Sequence, residues 1–228
     1  MMQSNHVIEL SRTIEPNPDC PVRFQVIHPE DSSSMTSLTY NEAIWHIVGL
    51  AQSGTETGTT ILLPFHDLSD WTDDARFPIS RLIGDMVVIS GLDPEAVSEI
   101  GVSELQACED EIVEGNIVFF HQAPRITASR DRFSADRRLG RPAVEWLIDR
   151  KVACVGSDGY LLSAQDVESK ALRQLLSQAG IPIVCHLTRL EQVRTGAYLT
   201  FVIPMAVNKL DICPARVIAI RKEQMPGF

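Results

Sequence analysis

The stretch PAVEWLIDRKVACVGSDGYLL, residues 142–162, contains the pattern that decides the fold class. Its first part, residues 142–150, places apolar side chains at helical spacing and has a proline in the position that suits a first helical turn. The run VACVG at residues 152–156 follows at once, with the length and β-branched content of a buried strand. A helix that leads directly into a strand is typical of an α/β or α+β domain.

The same alternation continues on both sides of this stretch. Helical spacing recurs over residues 165–179, Gly180 is suited to end that helix, and residues 181–187 then read as a strand. Residues 39–52 allow two interpretations, a helix that starts with a Thr39–Glu42 capping box or a buried strand. Further strand-length apolar runs lie at residues 7–10, 86–90, 117–120, 198–203 and 215–220.

Length and composition exclude several classes of protein. The chain has 228 residues, a formal net charge of −10 and 44% hydrophobic residues, which predicts one globular domain that neither coats nucleic acid nor binds an anionic membrane. No apolar run approaches the ~20 residues of a membrane span, and the first residues lack the pattern of a signal peptide. The five cysteines are scattered without a CxxC pair, which predicts reduced thiols in a cytoplasmic protein.

The charge is unevenly distributed along the chain. Residues 1–124 carry 4 basic and 20 acidic residues, whereas residues 125–228 carry 16 basic and 10 acidic residues. An arginine-rich stretch at residues 124–142 accounts for much of the difference. It is interpreted either as a solvated loop that pairs with the acidic half or a second subunit, or as a surface where Arg130 and Arg137 bind a substrate carboxylate or phosphate.

Several segments, taken in order, resemble the cyclase family, the group that includes bacterial kynurenine formamidase and isatin hydrolase. The segments are VIELSRTIEP at residues 7–16, FPISRLIGDMVVIS at 77–90, the unit at 142–162 with its Gly-x-Asp, IPIVCHLTRLEQV at 181–193 and YLTFVIPMAVNKLDICPARVIAI at 198–220. The resemblance implies an α/β fold, with residues 1–228 forming one compact domain built on a central mixed β-sheet or partial barrel flanked by helices. It also implies a homo-oligomer, dimer or tetramer, and a strand over residues 45–53.

The catalytic motif of that family is degenerate in this chain. The family pattern His-x-Gly-Thr-His-x-Asp-x-Pro-x-His aligns with ETGTTILLPFH at residues 56–66, so that Glu56, Thr60 and Leu62 replace three metal-binding residues. The two remaining ligand positions fall at Gln174 or Arg173 and at Cys185. Because a Zn²⁺ or Mn²⁺ hydrolase needs about three or four N, O or S ligands, the sequence predicts neither a resident metal nor another cofactor.

His66 is the catalytic residue of the motif that remains. In the family this histidine moves protons at the substrate, and an imidazole suits proton transfer near neutral pH. Glu56 would face the same cavity, where its carboxylate could orient the imidazole or act as a second acid or base. Both residues are therefore predicted to be catalytic, and the alternative is that they are inherited without a role.

Other positions are predicted to line the substrate cavity. Asp158 is expected chiefly to hydrogen-bond loop amides, His121 is either a second base or an edge histidine, and Cys185 is expected to be buried and inert rather than nucleophilic. The predicted substrate-binding residues are Thr60, Leu62, His121, Asp158, Tyr160, Cys185, Arg130 and Arg137.

The sequence thus predicts a metal-independent enzyme that cyclises, dehydrates or otherwise rearranges a natural-product intermediate. A cavity without a Lewis acid keeps its shape and its proton-transfer groups, which suits such lyase-like chemistry on a small anionic or polycyclic molecule. One alternative is a metal-dependent amide or lactam hydrolase with ligands rebuilt from Glu56, Cys185 and His66. The other is a non-catalytic relative that binds a ligand or a partner.

Overall fold

A closed β-sheet dominates the larger of two compact units in the computed structural model. The larger unit contains residues 1–12 and 59–228, and the smaller contains residues 13–58. The prediction that residues 1–228 form one domain stays a prediction. The structure describes residues 6–13, 58–64, 77–92, 99–122, 137–162, 166–205 and 212–225, and the backbone of residues 23–27, 39–40 and 43–48.

The described elements are eleven strands and three α-helices. The strands are β1 Val7–Glu9, β2 Arg23–Ile27, β3 Thr39–Tyr40, β4 Ala43–Val48, β5 Thr60–Leu62, β6 Ile83–Ile89, β7 Ile117–Phe120, β8 Cys154–Ser157, β9 Ile183–Cys185, β10 Tyr198–Pro204 and β11 Ile212–Arg221. The helices are α1 Val102–Gln106, α2 Arg141–Asp149 and α3 Val167–Gln178. In the smaller unit, β2, β4 and β3 form an antiparallel three-stranded sheet in that order.

Seven strands of the larger unit close into a mixed barrel. Strands β6, β7, β8 and β9 are parallel neighbours, and the antiparallel strands β5, β11 and β10 complete the ring from β9 back to β6. Closure depends on the length of β11, since its residues 212–214 pair with β5 while residues 215–221 pair with β10. The predicted α/β class with a mixed sheet is confirmed.

Alternating side chains divide the apolar core of the barrel into two parts. Ile61, Phe119 and Val184 belong to a buried cluster drawn from all seven strands, which fills the barrel interior. Phe120 on β7 belongs to a second cluster, in which the outer face of the parallel strands packs against the helices. The helices therefore cover one side of the barrel.

Gly156 on β8 permits the close approach of neighbouring strands. A Cβ at this position would lie 2.8 Å from the Cβ and the carbonyl oxygen of Val184 and 3.0 Å from Cδ1 of Phe119. A residue without a side chain is needed where strands approach this closely.

Both predicted helices are present with shifted ends. Helix α3 begins after Asp166, whose carboxylate accepts a hydrogen bond of 2.7 Å from the backbone N–H of Ser169, and it is followed by Gly180 at φ 71°. The strand predicted at 181–187 is shorter, since β9 ends at Cys185.

The open interpretation of residues 39–52 is resolved in favour of strands. β3 and β4 lie there, so the helical alternative is wrong for the described residues, while residues 49–53 lie outside them. The elements that the sequence did not predict are α1, β2 and β5. Over the described ranges, no helix combines the length and the apolar character that a membrane span requires.

Candidate functional site

Polar side chains gather where three neighbouring parallel strands end. His121 and Gln122 follow β7, Asp158 follows β8, and His186 follows β9. Because carboxyl ends of parallel strands share one edge of a sheet, these residues lie at the same end of the barrel. We refer to His121, Gln122, Ser157, Asp158 and Tyr160 as the carboxyl-edge cluster.

An ion-pair geometry joins His121 to Asp158. The imidazole Nδ1 lies 2.7 Å from Oδ2 of the carboxylate. Since a carboxylate only accepts hydrogen bonds, Nδ1 carries the hydrogen and Nε2 of the neutral ring is a proton acceptor. Asp158 is buried, whereas 21% of the His121 side chain is exposed, so the histidine is held from the interior and can be reached from outside.

Gln122 fixes the carboxylate from the other side. Its backbone N–H donates to Oδ1 of Asp158 at 2.9 Å, and its side-chain amide donates to the hydroxyl of Ser157 at 3.1 Å. The Ser157 hydroxyl in turn lies 3.3 Å from Oδ1 of Asp158. The buried carboxylate thus accepts hydrogen bonds from three residues, and such a satisfied network holds one orientation. Asp158 accepts a hydrogen bond from the backbone amide of Gln122, as the sequence predicted for a loop amide, and it also contacts His121.

Arg137 lies next to this cluster but contacts protein groups. Its backbone N–H donates to Oε1 of Gln122 at 2.8 Å, and its guanidinium donates to Oε1 of Glu104 at 2.5 Å and to the carbonyl oxygen of Glu99 at 2.9 Å. Burial opposes ionisation of Glu104, but the hydrogen bonds from Arg137, Ser103 and Gly101 lower its pKa to about 2. These contacts favour a structural role, and substrate binding by Arg137 stays a prediction.

Tyr160 and His186 form an aromatic contact at the same edge. Their rings meet edge to face with centroids 4.5 Å apart. His186 has φ 60°, a left-handed conformation that is uncommon for a residue with a side chain. Its carbonyl oxygen accepts a hydrogen bond of 2.6 Å from the hydroxyl of Thr59, which also accepts the backbone N–H of Arg12 at 2.8 Å. Thr59, the threonine of the family motif, therefore links the residue after β9 to the segment that follows β1.

Three positions that align with the family metal ligands lie together on one face of the barrel wall. Thr60 on β5 pairs with Cys185 on β9, and Leu62 pairs with Ile183 two residues along. Leu62 and Cys185 pack in the outer core beside the helices. The alkyl group of Leu62 has no donor atom and the Thr60 hydroxyl is a poor ligand, so Cys185 alone of these three offers an atom that usually binds Zn²⁺, and one such ligand does not make a site.

The metal-ligand position that the family has on a helix is taken here by Arg173 or Gln174, neither of which is a usual ligand of Zn²⁺. On α3, Arg173 is buried and Gln174 is half-buried. Across the part of the chain that the structure describes, no three His, Cys, Asp or Glu side chains are grouped so that they could hold a metal ion.

The described cysteines are largely enclosed in the protein. Cys154, Cys185 and Cys213 are buried, and burial raises the pKa of the Cys154 thiol. No disulfide involves these three residues or Cys108. The expectation that Cys185 is buried agrees with its place in the outer core.

Some of the predicted site residues lie outside the part of the chain that the structure describes. Conversely, the structure shows site residues whose roles the sequence did not predict. Glu56, His66 and Arg130 are in the first group, so their roles stay predictions. The structural roles of Gln122 and Ser157 were missed. The signal that could have identified both is their position at the ends of adjacent buried runs.

Comparison with known proteins identifies similar chains. The Cyclase family model matches residues 8–163. No curated protein matches the sequence. Isatin hydrolase A from Labrenzia aggregata, bound to benzyl benzoate, superposes with a TM-score of 0.68 at 21% identity, covering 94% of this chain and 93% of that one. Isatin hydrolase A from Ralstonia solanacearum gives 0.67 at 20% identity, with 94% and 91% covered. A structure described as a potential metal-dependent hydrolase with cyclase activity gives 0.63 at 20% identity, with 94% and 97% covered. At these identities the likeness shows the shared fold.

Proposed function

Because the chain belongs to the cyclase family, we propose that it is a small-molecule enzyme whose chemistry is proton transfer by an oriented histidine. The observation that carries this proposal is the 2.7 Å contact between His121 and the buried Asp158. The reaction class that fits is cyclisation, dehydration or a related rearrangement. His66, predicted from the family motif to be the catalytic acid or base, remains a prediction, and His121 takes the place of the second base.

The geometry of the pair gives each residue a defined task. Nε2 of His121 accepts a proton from a carbon or oxygen of the substrate, and the Asp158 carboxylate stabilises the imidazolium that forms. In a dehydration, the electron pair left on the substrate expels hydroxide, which takes up a proton from a second acid and leaves as water. We assign that step to His66, the acid or base predicted from the family motif.

The residues at the family ligand positions support chemistry without an activated metal-bound water. Leu62 has no donor atom, and it packs in the outer core together with Cys185. A hydrolase that uses a metal needs an open coordination position supported by protein ligands. The described positions do not supply them, which favours proton transfer over hydrolysis.

The proposed substrate is a small anionic or polycyclic intermediate of natural-product biosynthesis in the cytoplasm. Family membership implies a small-molecule substrate. An anionic group is proposed because the arginine-rich stretch at residues 124–142, which includes Arg130, lies directly after Gln122 in the chain. Tyr160, a member of the carboxyl-edge cluster, offers an aromatic surface for a ring.

We also propose that the protein forms a symmetric oligomer, a dimer or a tetramer. Phe201 on β10 pairs with Ile218 on β11, and Leu199 pairs with Ile220, so four large apolar side chains share the outer face of these strands. Ile203 continues that face and is 42% exposed. An exposed apolar sheet face favours contact with an equivalent face on a second copy.

The proposal can be tested with 5-nitrobenzisoxazole, a probe of general-base catalysis. A base removes its carbon-bound proton, the N–O bond breaks, and the coloured cyanophenolate forms. We expect the protein to accelerate this elimination and the His121→Ala variant to lose about 10²-fold or more of that acceleration. An unchanged rate in His121→Ala, or no acceleration by the wild-type protein, would count against an accessible base at this position.

A second assay separates the proposal from its alternatives. Hydrolysis of isatin is measured with and without added Mn²⁺, and we expect none above the uncatalysed rate. Mn²⁺-dependent ring opening would instead support the lactam hydrolase alternative. Inactivity towards both compounds would support a non-catalytic relative.

A further inference from the structure

A groove lies at the opposite end of the parallel strands from the carboxyl-edge cluster. Its volume is about 570 Å³, within the roughly 300–1,000 Å³ typical of small-molecule sites. It is bordered by residues that precede β6, β7, β8 and β9 and by the ends of α2 and α3. The lining residues used below are Arg81, Ile83, Ile148, Lys151, Ile181 and Glu114.

One wall of this groove is apolar. Ile83 on β6 and Ile148 on α2 contribute aliphatic side chains, whereas Ile181 is only 2% exposed and belongs to the core behind the groove surface. Ile83 is 40% exposed, which is unusual for a large apolar residue at the start of an internal strand. Such a surface suits the hydrocarbon part of a ligand.

The charge in the groove is concentrated on Arg81. Lys151 pairs with Glu114 at 3.4 Å, so these two charges offset each other. Within the described residues, the guanidinium of Arg81 has no hydrogen-bond acceptor. Among the described residues that line the groove, the guanidinium of Arg81 is therefore the charge that no ion pair offsets.

Gly180 sets the position of this guanidinium. A Cβ at Gly180 would lie 2.9 Å from Nη1 of Arg81, so the arginine packs on the bare backbone after α3. The partial negative charge at the end of α3 favours a cation there. The end of α3 thus lies against Nη1 of Arg81 at the border of a partly apolar groove.

We propose that this groove binds a small organic carboxylate with an apolar body. Arg81 would hold the carboxylate through paired N–H donors, and Ile83 and Ile148 would contact the hydrocarbon. The site is separate from the proposed proton-transfer site, because it lies at the amino ends of the strands that carry His121 and Asp158 at their carboxyl ends.

The test uses phenylacetate and its neutral isostere phenylacetamide on the full-length protein. Calorimetry gives the dissociation constant, which we expect to be on the order of 1 mM for the carboxylate, as is usual for ligands of this size. Arg81→Gln should weaken phenylacetate binding about tenfold or more, and phenylacetamide should bind weakly to both proteins. Arg141→Gln is the matched control, since its side chain is exposed on α2 and pairs with Glu145.

Backbone amide NMR locates the bound probe. We expect phenylacetate to shift the signals of Gly115 and Ala179, which line the groove. Ile83→Glu places a carboxylate in the groove at an exposed position and should abolish binding even if Arg81→Gln impairs folding. Equal affinity in the wild type and Arg81→Gln, equal affinity for the amide, or no binding at about 20 mM phenylacetate would overturn the proposal.

Discussion

Replacing Asp158 by asparagine should change which nitrogen of His121 carries the hydrogen. The asparagine side chain keeps the size of the carboxylate, and its oxygen can still accept from the N–H of Gln122, which lies 2.9 Å from Oδ1 in the native protein. Its amide nitrogen then faces Nδ1 of His121, at the 2.7 Å position now held by Oδ2. Two donors cannot share that contact, so the imidazole adopts the tautomer protonated at Nε2.

The magnitude follows from the replacement of a charged hydrogen bond by a neutral one. A hydrogen bond to a charged group contributes about 1.5–3 kcal/mol and a neutral one about 0.5–1.5 kcal/mol, so unfolding in urea should show a loss of stability of about 1 kcal/mol. The effect on turnover should be larger, since Nε2 would donate rather than accept a proton. We expect a decrease of about 10²–10⁴-fold in 5-nitrobenzisoxazole elimination.

Imidazole ¹⁵N NMR reports the tautomer without a substrate. In the wild-type protein, at a pH where the ring is neutral, Nδ1 of His121 should give the chemical shift of a protonated nitrogen. In Asp158→Asn, Nε2 should give that chemical shift instead. Asp149→Asn serves as control because Asp149 is exposed on α2. An Asp158→Asn protein with native tautomer and native elimination rate would refute the role given to Asp158.

Three further predictions concern stability and assembly. Glu104→Gln should lower the free energy of unfolding by about 1–2 kcal/mol at neutral pH, and because the pKa of Glu104 is lowered from 4.5 to about 2, this difference should be complete above pH 4.5 and vanish as the pH falls towards 2. Urea unfolding across that range measures it, and a difference independent of pH would contradict the prediction. Phe201→Glu should convert the oligomer to a monomer in sedimentation equilibrium, whereas an unchanged mass would exclude this face as the contact. Gly156→Ala should cost about 1–3 kcal/mol by calorimetric melting because its Cβ would meet Val184, and an unaltered melting temperature would show that the strands can separate there.

The local pattern of the sequence was sufficient for most helices and strands. The apolar spacing in the sequence predicted α2, α3 and the buried strands, because the same apolar residues are the ones buried in the core. The closure of the barrel was not predictable in this way, since it depends on residues 60–62 pairing with residues 212–214 far along the chain. β5 has only three residues, too few for a periodic signal.

Residues 39–52 show why a local signal can mislead. Thr39 and Glu42 have the spacing of a capping box, but residues 44–48 pair with β2. Sheet hydrogen bonds to a distant segment outweigh a capping preference that contributes only about 1 kcal/mol.

The candidate site was only partly predictable for a related reason. The sequence identified His121 and Asp158 separately, and a strand register was needed to bring them together. Phe120 pairs with Ser157 between β7 and β8, so the residues that follow each strand become neighbours. The contact of Arg137 with Glu104 likewise joins residues 33 positions apart, which no local pattern indicates.

The metal content of the purified protein tests the central claim most directly. Elemental mass spectrometry is combined with melting curves recorded before and after treatment with a chelator. If the chain acts through proton transfer, with Thr60, Leu62 and Cys185 holding no metal, the metal should be far below one equivalent per chain and the melting temperature should not change. One equivalent of zinc or manganese per chain, with a melting temperature that falls on chelation and recovers when the metal is returned, would contradict it.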